Sequence, residues 1–204
     1  MKFKIHDIER ELKKQEEVQE VSTQELNDQI MKTIEALSKK GIVEKNPKIF
    51  NSMVKYLAET YLEEKNIGKR QKGILYFGEI GTGKSFAVKV IAAFRGIHFY
   101  TCDELFRIYQ ANKESFWHII DEKKDLILDD LGAEATMHDY GMRFELFANA
   151  ITARHRLFES RGIRTLITTN LSGQAIKERY SERIYSRLRH MCDCICATGE
   201  DLRL

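Results

Sequence analysis

Gly78-Glu79-Ile80-Gly81-Thr82-Gly83-Lys84-Ser85 is the stretch on which the reading of this chain turns. It satisfies G-x-x-x-x-G-K-[ST], and its surroundings are those the pattern requires, an apolar strand at Ile74 to Phe77 before it and a helix at Ser85 to Phe94 after it. Glycines at 78, 81 and 83 let the backbone fold into a concave nest whose N–H groups point at phosphate oxygens. The following helix adds the positive end of its dipole. Lys84 is expected to reach the β- and γ-phosphates of a nucleotide, and Ser85 to place its hydroxyl on magnesium. The expected ligands are therefore ATP and Mg2+. Glu79, Ile80, Thr82 and Phe86 complete the stretch expected to touch the nucleotide.

Downstream, Asp125-Leu126-Ile127-Leu128-Asp129-Asp130 is apolar until it ends in two carboxylates. Residues at the carboxyl end of a central strand face the ligand crevice of an open α/β sheet. Asp129 is the natural partner of the Ser85-bound magnesium, and Asp130 is placed to orient and deprotonate an attacking water. A further strand, Thr165 to Thr168, runs into Thr169-Asn170; the amide of Asn170 would hold that water or sense the γ-phosphate. With Gly73 to Phe77, Ile97 to Thr101 and Met191 to Ala197, five short apolar runs alternate with amphipathic stretches. This predicts a five-stranded parallel sheet covered by helices on both faces, a three-layer sandwich.

Upstream the texture is different. Met1 to Glu20 is dominated by Lys, Glu and Gln, with Ile5, Ile8 and Leu12 at helical spacing. Ser22 and Glu25 form a capping-box pattern that opens a second helix, lined by Leu26, Ile30, Ile34 and Leu37 and ending at Gly41. Pro47, the only proline, punctuates a linker at 42–48, and a third helix is expected from Ile49 to Lys65 with Phe50, Val54, Leu57 and Tyr61 on one side. The expected division is a helical segment over 1–48 and a nucleotide-binding core over 49–204.

At 204 residues and 43% apolar composition, the chain can bury one sizeable core. Its 33 basic and 31 acidic residues nearly cancel, so overall charge does not mark a nucleic-acid or membrane binder, and any basic surface must be local. No apolar run approaches the ~20 residues of a membrane helix, and Met1 to Arg10 lacks a signal-peptide core, so a cytoplasmic location is expected. Cys192, Cys194 and Cys196 fall on one face of the last strand; their spacing is not that of a zinc site, and they are read as buried strand thiols, all four cysteines being expected to be free.

Taken together, Gly78 to Ser85, Leu128-Asp-Asp-Leu-Gly-Ala-Glu134, Thr168-Thr-Asn-Leu-Ser172 and Tyr180-Ser-Glu-Arg-Ile-Tyr-Ser-Arg-Leu188 give a sequence that resembles the DnaC-type branch of the AAA+ ATPases, the replicative-helicase loaders, and the related IstB-type transposition ATPases. The resemblance covers about Gly73 to the C-terminus. It implies a P-loop fold with Walker A at Gly78 to Ser85, Walker B at Asp129 and Asp130, and sensor 1 at Asn170. It also implies an arginine finger that serves a neighbouring subunit's ATP, with Arg187 the best match and Arg183 the next, and a sensor 2 arginine at Arg203. The alternative for Arg179, Arg183, Arg187 and Arg189 is a solvated basic helix face.

The implied activity is slow ATP hydrolysis coupled to self-assembly or DNA, and the implied partners are a replicative helicase, or a transposase in the second branch, and single-stranded DNA. A third reading is a nucleotide-dependent adaptor that does not hydrolyse ATP. In loaders the region before the core grips the helicase, which makes 1–48 a partner-binding module or, equally, a bundle packed on the core. The family's DNA-contacting insert corresponds to Asp103 to Lys124, where Phe106, Arg107, Tyr109, Lys113, Phe116 and Trp117 would either stack on DNA or fill the core. Two departures matter: Asp130 stands where many AAA+ proteins carry glutamate, and the sequence ends at Leu204, which leaves no room for a C-terminal lid domain.

Overall fold

Continuous apolar runs build the sheet, because successive side chains point to opposite faces and both faces are buried. The computed structural model describes residues 46–64, 71–134, 137–139, 142–144, 146–199 and 201, with Gln24 and Asp28 as isolated positions, both helical. The expected helices upstream of residue 46 otherwise lie outside the described residues, as does Arg203.

In chain order the elements are α1 (Pro47–Glu64), β1 (Gly73–Gly78), α2 (Lys84–Arg95), β2 (His98–Thr101), α3 (Cys102–Ala111), α4 (Lys113–Ile120), β3 (Leu126–Leu131), β4 (Met137–Asp139), β5 (Met142–Phe144), α5 (Leu146–Arg161), β6 (Thr165–Thr169), α6 (Gly173–Tyr180), α7 (Glu182–Met191) and β7 (Cys192–Ala197). Strands β2-β3-β6-β1-β7 form a parallel five-stranded sheet in that order, as expected. Side chains alternate between its two faces. Leu75, Leu126, Leu128, Ile167 and Cys192 join a core built with α3 to α7, while Ile74, Tyr76, Ile127, Leu166 and Ala197 join a second core under α1 and α2. The chain is thus an α/β three-layer sandwich.

Pro47 does not sit in a linker. It is the first residue of α1, where its fixed φ suits a helix start and its missing N–H costs nothing. Asn46 caps the helix by accepting from the Ile49 N–H at 3.4 Å. Through Ile49, Met53, Tyr56 and Leu57, α1 packs into the second core. The aromatics of the insert go inward. Phe116 is fully buried, Phe106 and Tyr109 are 8% exposed, and Phe116 meets Tyr109, Trp117 and Phe147 edge to face. The stacking platform considered for DNA is therefore core packing, and only Arg107 and Lys113 of that set are exposed. A small antiparallel hairpin, β4–β5, was not expected.

The three thiols of β7 are unevenly covered: Cys192 is buried, Cys194 exposed and Cys196 half-buried. The reading of these three as buried thiols holds for Cys192 alone. All four are free.

Arg154 on α5 is fully buried. Its Nε donates to Thr165 Oγ1 at 2.9 Å, and its terminal nitrogens donate to the carbonyls of Ile120, Glu122, Lys124 and Arg164 at 2.8–3.2 Å. All five guanidinium protons are thereby used to close the amino-terminal ends of β3 and β6. Burial pushes its pKa down to about 10, against the opposing pull of Asp125. No helix among the described residues is long and apolar enough to cross a membrane.

Candidate nucleotide-binding site

The sequence of the glycine loop fixes its path. Gly78, Gly81 and Gly83 have φ of 125°, 79° and 91°, values that L side chains rarely adopt. A Cβ at Gly78 would also come within 2.3 Å of the Ala197 carbonyl oxygen. The loop runs from the end of β1 into the first turn of α2, so backbone N–H groups at the helix start face the space above the sheet. Lys84, 5% exposed, donates through Nζ to the carbonyl of Gly78 at 3.1 Å and to that of Glu79. Thr82 Oγ1 donates to Glu79 O at 2.9 Å and tightens the same turn.

Above this loop lies a cavity of about 330 Å³ lined by Gly81, Thr82, Gly83, Lys84, Ser85, Phe86, Lys89, Asp130, Thr168 and Asn170. A larger, shallower depression of about 540 Å³ lies over Trp117 and Lys124, but its lining mixes acidic and basic side chains with neither a phosphate loop nor paired strand-end carboxylates. Chemistry, rather than size, singles out the first. The expected residues Lys84, Ser85, Phe86, Asp130 and Asn170 therefore converge, from three separate segments of the chain.

Asp129 and Asp130 play different parts. At the end of β3 the register with β6 shifts between Leu128 and Leu131, and Asp130 takes φ 60°, a left-handed conformation that Asp tolerates better than most residues. Thr168 bridges the pair: its hydroxyl donates to Asp129 Oδ1 at 2.5 Å and accepts from the Asp130 N–H at 2.9 Å. Asp129, 5% exposed, stands behind Thr168 and is not part of the cavity lining, whereas Asp130 is. Asn170 Nδ2 donates to Asp130 Oδ1 at 3.0 Å.

The turn after Asp130 is held from behind. Glu134, 5% exposed, accepts from the Gly132 N–H at 2.7 Å and from the Tyr180 hydroxyl. Arg179 donates to Gly132 O at 2.6 Å, to Glu134 O at 2.7 Å and to Glu134 Oε1 at 3.0 Å. Burial and the Glu134 carboxylate push the Tyr180 phenol well above its ordinary pKa, so it stays a donor. Arg179 thus belongs to this buried clamp and not to a solvated helix face.

Two lining residues carried no signal in the sequence. Thr168 reads as an ordinary strand residue, and Lys89 as an exposed position one turn along α2 from Ser85. The arginines lie elsewhere. Arg187 on α7 donates to Thr152 Oγ1 of α5 at 2.6 Å, and Arg183 is exposed one turn before it; neither lines the cavity. Burial, with Arg183 and Arg156 nearby, holds the Arg187 pKa below the usual value.

The donors present fit a magnesium nucleotide. The nest, a buried lysine and a helix start suit a triphosphate, while the Ser85 hydroxyl and the Asp130 carboxylate that line the cavity are hard oxygen ligands of the kind magnesium takes. In sequence, no protein-family model and no curated protein matches the chain. In structure, it is similar to DnaI, with TM-score 0.56 and 24% identity over 74% of this chain and 85% of that one. It is also similar to a Streptococcus pyogenes serotype M3 protein described as a primosome component, with TM-score 0.50 and 18% identity over 72% of this chain and 79% of that one. At these identities the likeness is one of fold, and that fold is the P-loop α/β arrangement.

Proposed function

We propose that the chain binds and slowly hydrolyses ATP and works as a replicative helicase loader of the AAA+ type. The observation that carries the nucleotide reading is the convergence of Lys84, Ser85, Asp130 and Asn170 on one cavity. Bound Mg-ATP supplies the scissile phosphoanhydride and a charge-neutralising ion. The loop amides and Lys84 would hold the phosphates, Ser85 would ligate the ion with Asp129 placed behind Thr168, and Asp130, fixed by Asn170, would accept the proton of the attacking water.

The loader reading rests on the motif strings described above, and the shared fold with a primosome component supports it. Arg187, or Arg183 beside it, would complete the site of a neighbouring subunit, so hydrolysis depends on assembly. Residues 1–48 would engage the helicase, and Arg107 and Lys113 remain as exposed basic contacts for single-stranded DNA. Arg203 would act as sensor 2.

Titration with Mg-ATP tests the first layer: uptake by the chain that is lost in Lys84→Ala supports it, and no uptake by the unaltered chain removes it. A pull-down with the whole chain, against a chain lacking residues 1–45 so that Asn46 and α1 are kept, tests the second. Recovery of a ring helicase that depends on 1–45 supports the loader, whereas recovery of a transposase replaces it.

A further inference from the structure

The seam between α5 and α7 carries a side-chain cluster that the nucleotide site does not use. His155 on α5 and His190 on α7 meet with Nε2 and Nδ1 2.9 Å apart, and Glu159, one turn beyond His155, holds a carboxylate oxygen 3.3 Å from His155 Nδ1. One ligand atom from each of the three lies within 4.8 Å of the others. His155 is buried while Glu159 and His190 are exposed. The inner wall of the cluster is therefore fixed by packing, and its outer side is open to an ion arriving from solvent. Phe158 meets the His190 ring edge to face at 5.7 Å, which restrains that ring as well.

Two imidazoles that face each other nitrogen to nitrogen are close to the arrangement of two tetrahedral ligands. Bonds of about 2.0–2.1 Å place such nitrogens about 3.3 Å apart, so the seam needs to open by only a few tenths of an ångström. Burial, reinforced by His190 and Arg187 and opposed by Glu159, lowers the pKa of His155 and leaves its ring neutral with a lone pair to give. We propose that His155 Nε2 and His190 Nδ1 bind a divalent transition ion of the zinc class, with the Glu159 carboxylate holding the other ring nitrogen of His155, Nδ1, and the remaining positions open to water. Nitrogen ligands select this class over magnesium or calcium. Arg187 acts on His155 and opposes a cation there, so the ion is held less tightly than a buried structural zinc.

The place gives such an ion a consequence. Thr152 and Arg187 bond at 2.6 Å between the same two helices, one turn away from His155 and His190. An ion at the cluster ties α7 to α5 beside that arginine.

The test is isothermal titration of the tag-free, full chain with ZnCl2, with CoCl2 as a spectroscopic probe. One ion should bind per chain, His190→Ala and Glu159→Gln should each weaken it at least about tenfold, and the Co2+ complex should lack a thiolate charge-transfer band. Both variants alter exposed side chains, so a retained melting temperature in the metal-free protein separates lost binding from lost fold. No binding, binding unchanged in His190→Ala, or binding lost in Cys194→Ser with a thiolate band would overturn the assignment.

Discussion

Asn170 Nδ2 donates to Asp130 Oδ1 at 3.0 Å, so the carboxyl ends of β6 and β3 are joined side chain to side chain at the mouth of the cavity. That amide fixes the orientation of the carboxylate proposed to accept the water proton. Asp130→Asn should therefore lower ATP turnover by about 10²-fold or more while Mg-ATP binding is kept. Asn170→Ala should act in the same direction and less strongly. Steady-state turnover measured beside equilibrium nucleotide binding checks both, and equal losses in the two measurements would count against the assigned roles.

Arg187 stands outside its own cavity, bonded to Thr152. Arg187→Ala is expected to retain ATP binding and lose turnover by about 10³-fold. Mixing it with Lys84→Ala subunits should restore activity, because each variant supplies what the other lacks. Unchanged turnover in Arg187→Ala would transfer attention to Arg183.

Glu134 and Arg179 hold the turn behind Asp130 while themselves buried or half-buried. Glu134→Ala removes the acceptor of Gly132, Tyr180 and Arg179 together and leaves a poorly compensated cation. A loss of roughly 3 kcal/mol is expected, read as a lowered midpoint in urea. A midpoint within experimental error of the unaltered chain would show the clamp to be dispensable.

Arg154 closes the opposite end of the sheet. Arg154→Leu leaves four carbonyls without their donor, for an expected cost of about 3 kcal/mol and a fall in Tm of about 10 °C. Because the site lies at the other end of β3 and β6, nucleotide affinity at low temperature should be preserved in the same variant.

His155 has its pKa lowered by burial, by His190 and by Arg187, with Glu159 opposing them. The folded chain therefore binds fewer protons than the unfolded one as pH falls. The stability linked to this group is complete above the unfolded value of about 6.5 and is lost as pH drops through it toward the folded value. Tm should fall between pH 7.5 and pH 5.5, and His155→Gln should flatten that part of the curve.

Much of the site was legible because its residues are adjacent in sequence or end an apolar run. Gly78 to Ser85 is one continuous string, and Asp129, Asp130 and Asn170 each follow a strand that reads as β from composition alone. What was hidden depends on neighbours far along the chain. Thr168 acquires its role only because β6 lies beside β3, where its hydroxyl reaches both Asp129 and the Asp130 amide. Phe106, Tyr109 and Phe116 carry the same aromatic character whether they face DNA or the core, and the fold decided for the core. The β4–β5 hairpin has only three residues per strand and no apolar alternation in Met137-His138-Asp139 to announce it.

The phosphate loop is also moored to the last strand. The Glu79 N–H donates to Ala197 O at 3.0 Å, Glu79 Oε2 accepts from the Gly199 N–H at 3.0 Å, and Asn46 reaches both Thr82 O and Thr198 O. A shift of the loop cannot then stay local: it drags β7, and with it the solvent-facing sulfur of Cys194. A maleimide dye on that thiol would turn a displacement at one rim of the sheet into light.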